Sequence, residues 1–458
     1  MKVMKFGGGC LKDYKDILQV AELIKSEIEN TAVVLSAISG ITDILLEGID
    51  KAIHSETHID NILKTLIENH HHITEKAIHN KKIKERTLKC IDTRMKKLGR
   101  LLHGIAYTEE ITPSIKASVL SYGERFSVHL IAGVLNSINK NAEALESDHM
   151  GIITDDSYEN ATANLNEVKK NLSQTLIPIL KRGTIAVTTG YFGCTSSRKV
   201  TLFGRNGSDY SAAVIAYGIT ASSLEIWKEV DGFMSADPAI VKEASRIERL
   251  SYYEAAELSY FGARILHPRT VEPLSEKSIP LFIKNTHKAE SKGTIVLNKG
   301  NKKEKAIKSV TYNKNISILK IRGPGVGYKP GIIAQIGSLL SKTGINIISI
   351  LTSQTCINLL IDKNDSSKSD KALQKLAGGV IEKINVHNDM ALVAVVGEGL
   401  QKEKGVAAKV FSAVAKEKIN VEMISSGASD VASYFIVLKS KAENAVNAIH
   451  KEFFNNNG

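Results

Sequence analysis

The sequence predicts an α/β protein: a mainly parallel sheet with helices, followed by a smaller α+β module present twice. Three observations carry this. The chain opens with a short strand, a glycine loop and a helix, and then a second strand over residues 31–38 that is nearly continuous in apolar character. Strand, helix, strand within about forty residues reads as βαβ, and a strand apolar on both faces is one that is covered on both. Further on, an apolar β-rich run over 184–189 and a Gly/Ser/Thr/Cys-rich loop lead through Thr201-Leu202-Phe203-Gly204-Arg205-Asn206-Gly207-Ser208-Asp209 into a helical segment over 212–217. Beyond residue 315 one order of strands and helices occurs twice, which marks an internal repeat.

Taken in order, Lys2-Val3-Met4-Lys5-Phe6 is the first strand and Gly7-Gly8-Gly9 the loop. A helix over 13–29 follows, with Ile17, Val20, Leu23, Ile24 and Ile28 on one face. The second strand ends in Ser39-Gly40-Ile41-Thr42-Asp43. Residues 44–140 read as mainly helical. Neighbours on a helix point in different directions, so His70-His71-His72 reads as solvated helical surface rather than a metal site. Ser121-Tyr122-Gly123-Glu124-Arg125 opens an apolar helix over 126–135, and 142–145 and 151–155 are short strand and loop pieces. Strand character returns over 177–189. After the central stretch, Leu224-Glu225-Ile226-Trp227-Lys228-Glu229-Val230 is a strand ending in the acidic turn Asp231 to Pro238. Leu250 to Glu254 caps a helix to about residue 262, Arg264 begins the next segment, and 279–286 is the last strong strand of this part. The Lys- and Asn-rich stretch 299–315 reads as a linker. Each later copy reads βαββα, and Gly344-Ile345-Asn346-Ile347-Ile348 in the first matches Lys418-Ile419-Asn420-Val421-Glu422 in the second.

A chain of 458 residues exceeds one core, so two or three domains are expected. No apolar run reaches the length of a membrane span, and the N-terminus lacks a secretory pattern, so the cytoplasm is the expected compartment. Cys10, Cys90, Cys194 and Cys356 are scattered without a C-x-x-C, which suggests neither a disulfide framework nor a zinc site. The net charge of +11 and pI near 9.2 raise nucleic-acid binding. The lysines are spread along the chain, however, and the aromatics show no stacking pattern, so a lysine bias on solvated faces explains the charge and favours anionic substrates.

Two segments carry chemistry. In the central stretch, glycines bracket Arg205-Asn206, and Ser208-Asp209 stands where a helix N-cap would stand. A helix N-terminus beside an arginine is an anion site. At the chain start, Lys5 precedes the glycines. In a P-loop the lysine follows them, and the spacing is not G-x-G-x-x-G either. A lysine at a strand end over a glycine loop still suits a polyphosphate.

Lys5-Phe6-Gly7-Gly8-Gly9 and Gly204-Arg205-Asn206-Gly207-Ser208-Asp209 resemble the aspartokinases of the amino-acid kinase family, whose motifs are Lys-Phe-Gly-Gly-Thr-Ser and Gly-Arg-Gly-Gly-Ser-Asp. The resemblance covers essentially the whole chain, and the repeat resembles paired ACT domains. It implies an amino-acid kinase (carbamate-kinase-like) sandwich over 1–298, a linker over 299–315, and two ferredoxin-like ACT domains over 316–385 and 386–458. It implies transfer of the γ-phosphoryl of ATP, with Mg²⁺, to the side-chain carboxylate of L-aspartate, the first step towards lysine, threonine and methionine.

By the same resemblance Lys5 and Asp209 are catalytic. Thr42, Glu124, Arg205 and Ser208 bind the acceptor, with Arg205 on its α-carboxylate and Glu124 on its α-ammonium. Gly7, Gly8, Gly9, Ser36, Glu229, Gly232, Asp237 and Arg264 serve the nucleotide. An amino-acid effector, threonine or lysine, binds the ACT pair near Asn346, Thr352, Ser353 and Gln354. Ile348, where lysine-sensing relatives often carry an aspartate, points towards threonine. A homodimer or homotetramer through the ACT modules is implied, with no nucleic-acid or membrane partner.

The chain departs from the family in three places. Gly9-Cys10 replaces Thr-Ser, Asn206 replaces a glycine, and Lys228-Glu229 replaces the Thr-Asp of Trp-Thr-Asp-Val. The first and third favour an alternative, an amino-acid-binding regulatory protein on a weakened kinase fold. The intact acceptor residues favour the enzyme. A kinase of glutamate or UMP fits the ACT pair and Thr270-Val271-Glu272-Pro273 less well.

Overall fold

The central strand of the molecule is the first one. A computed structural model describes residues 1–28, 30–204, 206–263, 265–298 and 306–454. It divides into two units, one of Met1–Phe233, Arg246–Ala256 and Ile265–Asn301, the other of Met234–Ser245, Glu257–Arg264 and Lys302–Gly458. The first unit contains β1 (Lys2–Phe6), β2 (Thr31–Leu35), β3 (Ala142–Leu145), β4 (Ile185–Thr189), β5 (Phe192–Cys194), β6 (Val200–Leu202), β7 (Ser223–Lys228), β8 (Arg249–Ser251), β9 (Leu281–Asn285) and β10 (Thr294–Leu297). Eight of these form one sheet in the order β3-β4-β2-β1-β7-β9-β10-β8. It is parallel from β3 to β9, and β10 runs antiparallel to β9.

Val3, Met4 and Phe6 are fully buried in β1, and the Phe6 and Trp227 rings stack at 5.9 Å across to β7. The chain lays β2 on one side of β1 and later returns to lay β7 on the other. Strand order therefore reverses between β1 and β7. In open α/β sheets ligands bind outside the carboxyl ends of the strands at such a point.

The structure corrects several local expectations in this unit. The first helix, Tyr14–Lys25, starts where the Asp13 side chain accepts from the Lys15 and Asp16 N–H groups, and it buries Ile17, Val20, Ala21 and Ile24. It stops four residues short, and Ile28 is 99 % exposed. Residues 177–189 are not all strand: Ile177–Lys181 is a helical turn before β4. The loop before the central motif holds the hairpin β5–β6, and β10 follows the strand taken as last. Ser251 and Glu254 do form a reciprocal cap, Ser251 N–H to Glu254 Oε2 at 2.8 Å and Glu254 N–H to Ser251 Oγ at 3.2 Å.

His70 is the clearest correction. It is fully buried, not solvated, with its ring 4.8 Å from Phe126 and its Nδ1–H donating to the Leu66 carbonyl at 2.7 Å. Burial pulls its pKa from 6.5 to about 4. The unfolded chain binds a proton below about 6.5 that the folded chain refuses, so this contribution to stability is lost as pH falls from there towards about 4 and changes no further below. That loss is on the order of 3 kcal/mol at most. We expect the thermal midpoint to fall across this window, and a His70→Leu variant to fall less steeply. Equal slopes in thermal melts of the two proteins would remove His70 from that role.

The second unit holds β11 (Ser309–Asn313), β12 (Ile316–Arg322), β13 (Ile347–Ser353), β14 (Cys356–Asp362), β15 (Lys383–His387), β16 (Met390–Val396), β17 (Met423–Ser426) and β18 (Ala432–Leu438). They form two antiparallel sheets, β13-β14-β12-β15 and β11-β16-β18-β17. Ile332, Ile336 and Leu340 of helix Ile332–Lys342 pack on Leu319 and Leu359 of the first sheet. Val406, Val410 and Val414 of helix Val406–Lys416 pack with Val446, Val393 and Phe435 on the second. Each copy thus has one strand more than βαββα. The stretch read as a linker supplies β11, which pairs in register with β16, and β15 adds to β12. Both were hidden because their partners lie far along the chain. Among the described residues, no helix is long and apolar enough to cross a membrane.

Candidate active site

The carboxyl ends of β1 and β7 bring two lysines onto one carboxylate. In the parallel register Lys5 stands opposite Ile226, and residue 228, two further on, points to the same face as 226. That face carries helix Gly207–Gly218, every residue of which is buried, with Asp209 in its first turn. Lys5 Nζ lies 2.6 Å from Asp209 Oδ1, and Lys228 Nζ 3.0 Å from Asp209 Oδ2. Burial pushes the Asp209 carboxyl up, but the Lys228 and Lys5 charges and their hydrogen bonds outweigh it and hold the group down at about 2. For Lys5, burial and the neighbouring Lys228 charge outweigh the attraction of Asp209, and its pKa is lowered. The helix is not capped by Ser208-Asp209 as expected. Asn206, in the left-handed region at φ 57°, is its N-cap, and Ser208 and Asp209 belong to the first turn.

A second buried carboxylate stands nearby. Glu124 lies in the first turn of helix Tyr122–Ser137 and is 3 % exposed. Its Oε1 accepts from the Ala37 N–H at 3.0 Å, while its buried Oε2 has no hydrogen-bond partner. Burial pushes this carboxyl up to about 8, although the Ala37 N–H, its own N–H and the charges of Lys5 and Arg125 pull the other way. The Ala37 peptide is the hub of this region. A Cβ on Gly123 would sit 2.7 Å from the Ala37 Cβ, and one on Gly8 would sit 3.0 Å from the Ala37 carbonyl oxygen. Close approach here requires glycine at both places. Arg125 pins the helix by bonding Glu146 and, at 2.6 Å, Asp148 Oδ2, and Arg94 Nη2 reaches Glu146 Oε1 at 2.6 Å. The Glu146 and Asp148 carboxylates are therefore occupied by guanidinium partners.

The other expected residues fall as follows. Gly7, Gly8 and Gly9 run from the end of β1 into a short 3₁₀ turn, and the Ser36 N–H donates to the Phe6 carbonyl at 3.2 Å. Thr42 is half-buried in the first turn of helix Ile41–His54, and Ser208 is buried. Glu229 pairs with Lys12, and its carboxylate lies against Gly9. Gly232 has φ 122°. Asp237 belongs to the second unit, where its Oδ1 accepts from the Ala239 N–H at 2.9 Å. Arg205 and Arg264 lie outside the described residues.

The expected effector residues do not come together. Asn346 precedes β13 while Thr352 and Ser353 end it, so about 20 Å of extended strand separates them. Ser353 and Gln354 instead meet the loop before helix Ile332–Lys342, where the Gly327 N–H donates to the Gln354 carbonyl at 3.2 Å. Asn346 hydrogen-bonds Tyr260, whose OH also donates to the Ile348 carbonyl at 3.2 Å. Sequence reasoning missed Lys228 as a partner of Asp209. The signal was its parity with Lys5, which becomes legible only once β1 and β7 are known to be neighbours.

The model of the amino acid kinase family matches residues 1–285, and an ACT domain model matches 393–453. Aspartokinase 3, chloroplastic, of Arabidopsis thaliana is 32% identical over 463 residues, covering 99% of this chain and 81% of that protein. A bifunctional aspartokinase/homoserine dehydrogenase of Buchnera aphidicola is 32% identical over 471 residues, and this chain spans 57% of its length. Among solved structures, E. coli aspartokinase III in complex with aspartate and ADP (R-state) superposes with a TM-score of 0.85 at 27% identity, covering 99% of this chain and 100% of that one. The same enzyme with lysine and aspartate (T-state) gives 0.82 at 27% identity, covering 99% of each chain.

Proposed function

The chain belongs to the amino acid kinase family and, within it, to the aspartokinases with C-terminal ACT domains, and on that premise we propose that it phosphorylates the side-chain carboxylate of L-aspartate with ATP. A carboxylate oxygen bonds to the γ-phosphorus as the bond to the β-phosphate oxygen breaks, giving 4-phospho-L-aspartate and ADP. In this proposal 1–298 carries catalysis and 316–458 regulation. The observation that carries it is Glu124, a buried carboxylate with one unpartnered oxygen, within the field of the Lys5–Asp209–Lys228 cluster. An ammonium group is the partner that oxygen lacks.

The donor set fits a polyphosphate, because the buried Lys5 and half-buried Lys228 ammonium groups flank a glycine loop whose backbone comes close to its neighbours. Mg²⁺ fits as an ion bound mainly by phosphates, with Asp209 as the carboxylate at hand. When bound, the magnesium nucleotide supplies the phosphoryl group and part of the neutralising charge. The protein's own work is to position and to neutralise. Lys5 holds its ammonium towards the transferring group, fixed by Asp209. Gly7, Gly8, Gly9 and Ser36 serve the phosphates and Glu229 and Gly232 the rest of the nucleotide, and the nucleotide roles of Asp237 and Arg264 rest on the family motif alone. Glu124 takes the α-ammonium of the acceptor, Arg205 its α-carboxylate, and Thr42 and Ser208 add hydrogen bonds.

Trapping the acyl phosphate with hydroxylamine, with ATP, Mg²⁺ and either aspartate or glutamate, tests the reading. Hydroxamate should form with aspartate. Its absence there, or a preference for glutamate, overturns the assignment. The product would enter the synthesis of lysine, threonine and methionine.

For regulation, an amino acid bound at the ACT modules inhibits only through unequal affinity for active and inactive states. Threonine is favoured over lysine because Ile348 offers no charge to a side-chain ammonium. Ile350 on β13 and Ile424 on β17 are exposed on edge strands, which suits pairing with a second copy into a homodimer or homotetramer. Since Asn346 and Gln354 stand at opposite ends of β13, one of them is expected to dominate. Asn346→Ala should weaken effector binding roughly tenfold, the loss of about one good hydrogen-bonding contact, and shift the inhibition curve equally. Calorimetry and inhibition curves on Asn346→Ala and Gln354→Ala check this, and a shift confined to Gln354→Ala would move the site to the other end of the strand.

A further inference from the structure

The buried charges at the strand switch point do not balance. Two ammonium groups, Lys5 and Lys228, meet one carboxylate, Asp209, and their side chains are 5, 20 and 1 % exposed respectively. The neighbours do not correct the excess. Glu124, pushed up to about 8 by burial, is protonated at neutral pH. His267 also feels Asp209, but burial and the Arg269 charge take it down to about 4, so it is neutral. Glu229 is engaged outside the cluster by Lys12. Among the described residues the cluster therefore carries one uncompensated positive charge, with Lys5 and Asp209 buried and Lys228 half-buried. Such a charge is costly to hold unless an anion arrives.

Lys228 is the more exposed of the two lysines, so its ammonium is the one free to turn outward. A neutral side chain at this position, as in the Trp-Thr-Asp-Val pattern, would leave Lys5 and Asp209 as a balanced pair. Lysine here adds a fixed cation at the carboxyl end of β7, across the switch point from Lys5.

We propose that Lys228 is a second phosphate-binding residue, whose ammonium leaves Asp209 Oδ2 for a terminal phosphoryl oxygen of the bound nucleotide and shares with Lys5 the neutralisation of the transferring group. This rests on the phosphotransferase reading above. It follows that this chain depends less on a divalent cation for holding nucleotide than it would with a neutral residue at 228, because part of the charge the metal supplies is already on the protein. In a purely structural role Lys228 would hold Asp209 in place and have no say in ligand charge.

Calorimetry with the nonhydrolysable ATP analogue AMP-PNP separates the two. Wild type, Lys228→Met, Lys228→Thr and Lys228→Arg are each titrated with excess Mg²⁺ and again in EDTA, with a thermal melt of each protein. We expect Lys228→Met, or Lys228→Thr if the methionine variant does not fold, to weaken metal-free binding about tenfold or more, the worth of one charge-assisted contact. Binding with Mg²⁺ should weaken less, and Lys228→Arg should stay close to wild type in both. Wild type and the neutral variants agreeing within about twofold in EDTA would overturn the proposal, since a charge-assisted contact is worth more than that. So would Lys228→Arg losing affinity alongside the neutral variants with a matching drop in melting temperature, which is the mark of packing. If wild type binds AMP-PNP under neither condition, the phosphotransferase reading falls as well.

Discussion

Replacing Lys5 with alanine lowers kcat by about 10²–10³-fold, the usual loss when a group that stabilises transition-state charge is removed from a dry site. The expectation follows from where the ammonium is held: at the end of the central strand, almost fully buried, 2.6 Å from the Asp209 carboxylate. The effect on folding should be small. Lys5→Ala leaves Asp209 paired with Lys228, so the buried charges that remain are balanced. Asp209→Ala should cost a similar factor in kcat but also about 3 kcal/mol of stability, because it leaves the buried Lys5 ammonium with no counter-charge, while the half-buried Lys228 can turn to solvent. Rates from hydroxamate trapping, read beside thermal melts, check both halves. A Lys5→Ala protein that keeps more than about a tenth of wild-type kcat would take Lys5 out of the chemistry. Equal melting temperatures for the two variants would show that Asp209 is not the keystone of the cluster.

What could be read in the sequence was what local pattern encodes. β1, the glycine loop and the first helix follow one another along the chain, and Asp13 announces the helix through its own cap. The repeat was legible because each copy restates one pattern of apolar strands and helices. The larger misses come where the chain meets distant parts of itself or where an element ends early. Ile28 fits the helical period yet lies past the end of the helix, where nothing covers it. His70 sits in a polar-looking run, but helix Tyr122–Ser137 lays Phe126 over it. β11 looks like a linker because its partner β16 begins nearly eighty residues later, a loop whose closure no local signal records. The site follows the same rule. Lys5, Asp209 and Glu124 could be picked out by residue type and motif, whereas the role of Lys228 needs the β1–β7 register. The split of the effector residues needs only the length of β13.

Glu124 gives the most direct test of how the acceptor is held. In the free protein its carboxyl, pushed up to about 8 by burial, is protonated at neutral pH. To pair with an α-ammonium it must release that proton. Binding therefore strengthens as pH rises, by about tenfold for each pH step below about 8, and levels off above, where the group is already ionised. The KM for aspartate should thus fall by about two powers of ten between pH 6 and 8, while the acceptor's own α-ammonium stays charged throughout. Glu124→Gln preserves the shape and can still accept from the Ala37 N–H, but it offers no charge. That variant should raise the KM for aspartate roughly 10–100-fold at pH 8, the worth of a hydrogen bond to a charged group, and should leave the KM without a slope between pH 6 and 8. Because the interaction is the same in the ground and transition states, kcat should change much less than KM. Initial rates against aspartate concentration at several pH values, for both proteins, decide it. A wild-type KM that is flat across this range, or a Glu124→Gln variant that keeps the wild-type slope, would mean that the ammonium is read elsewhere.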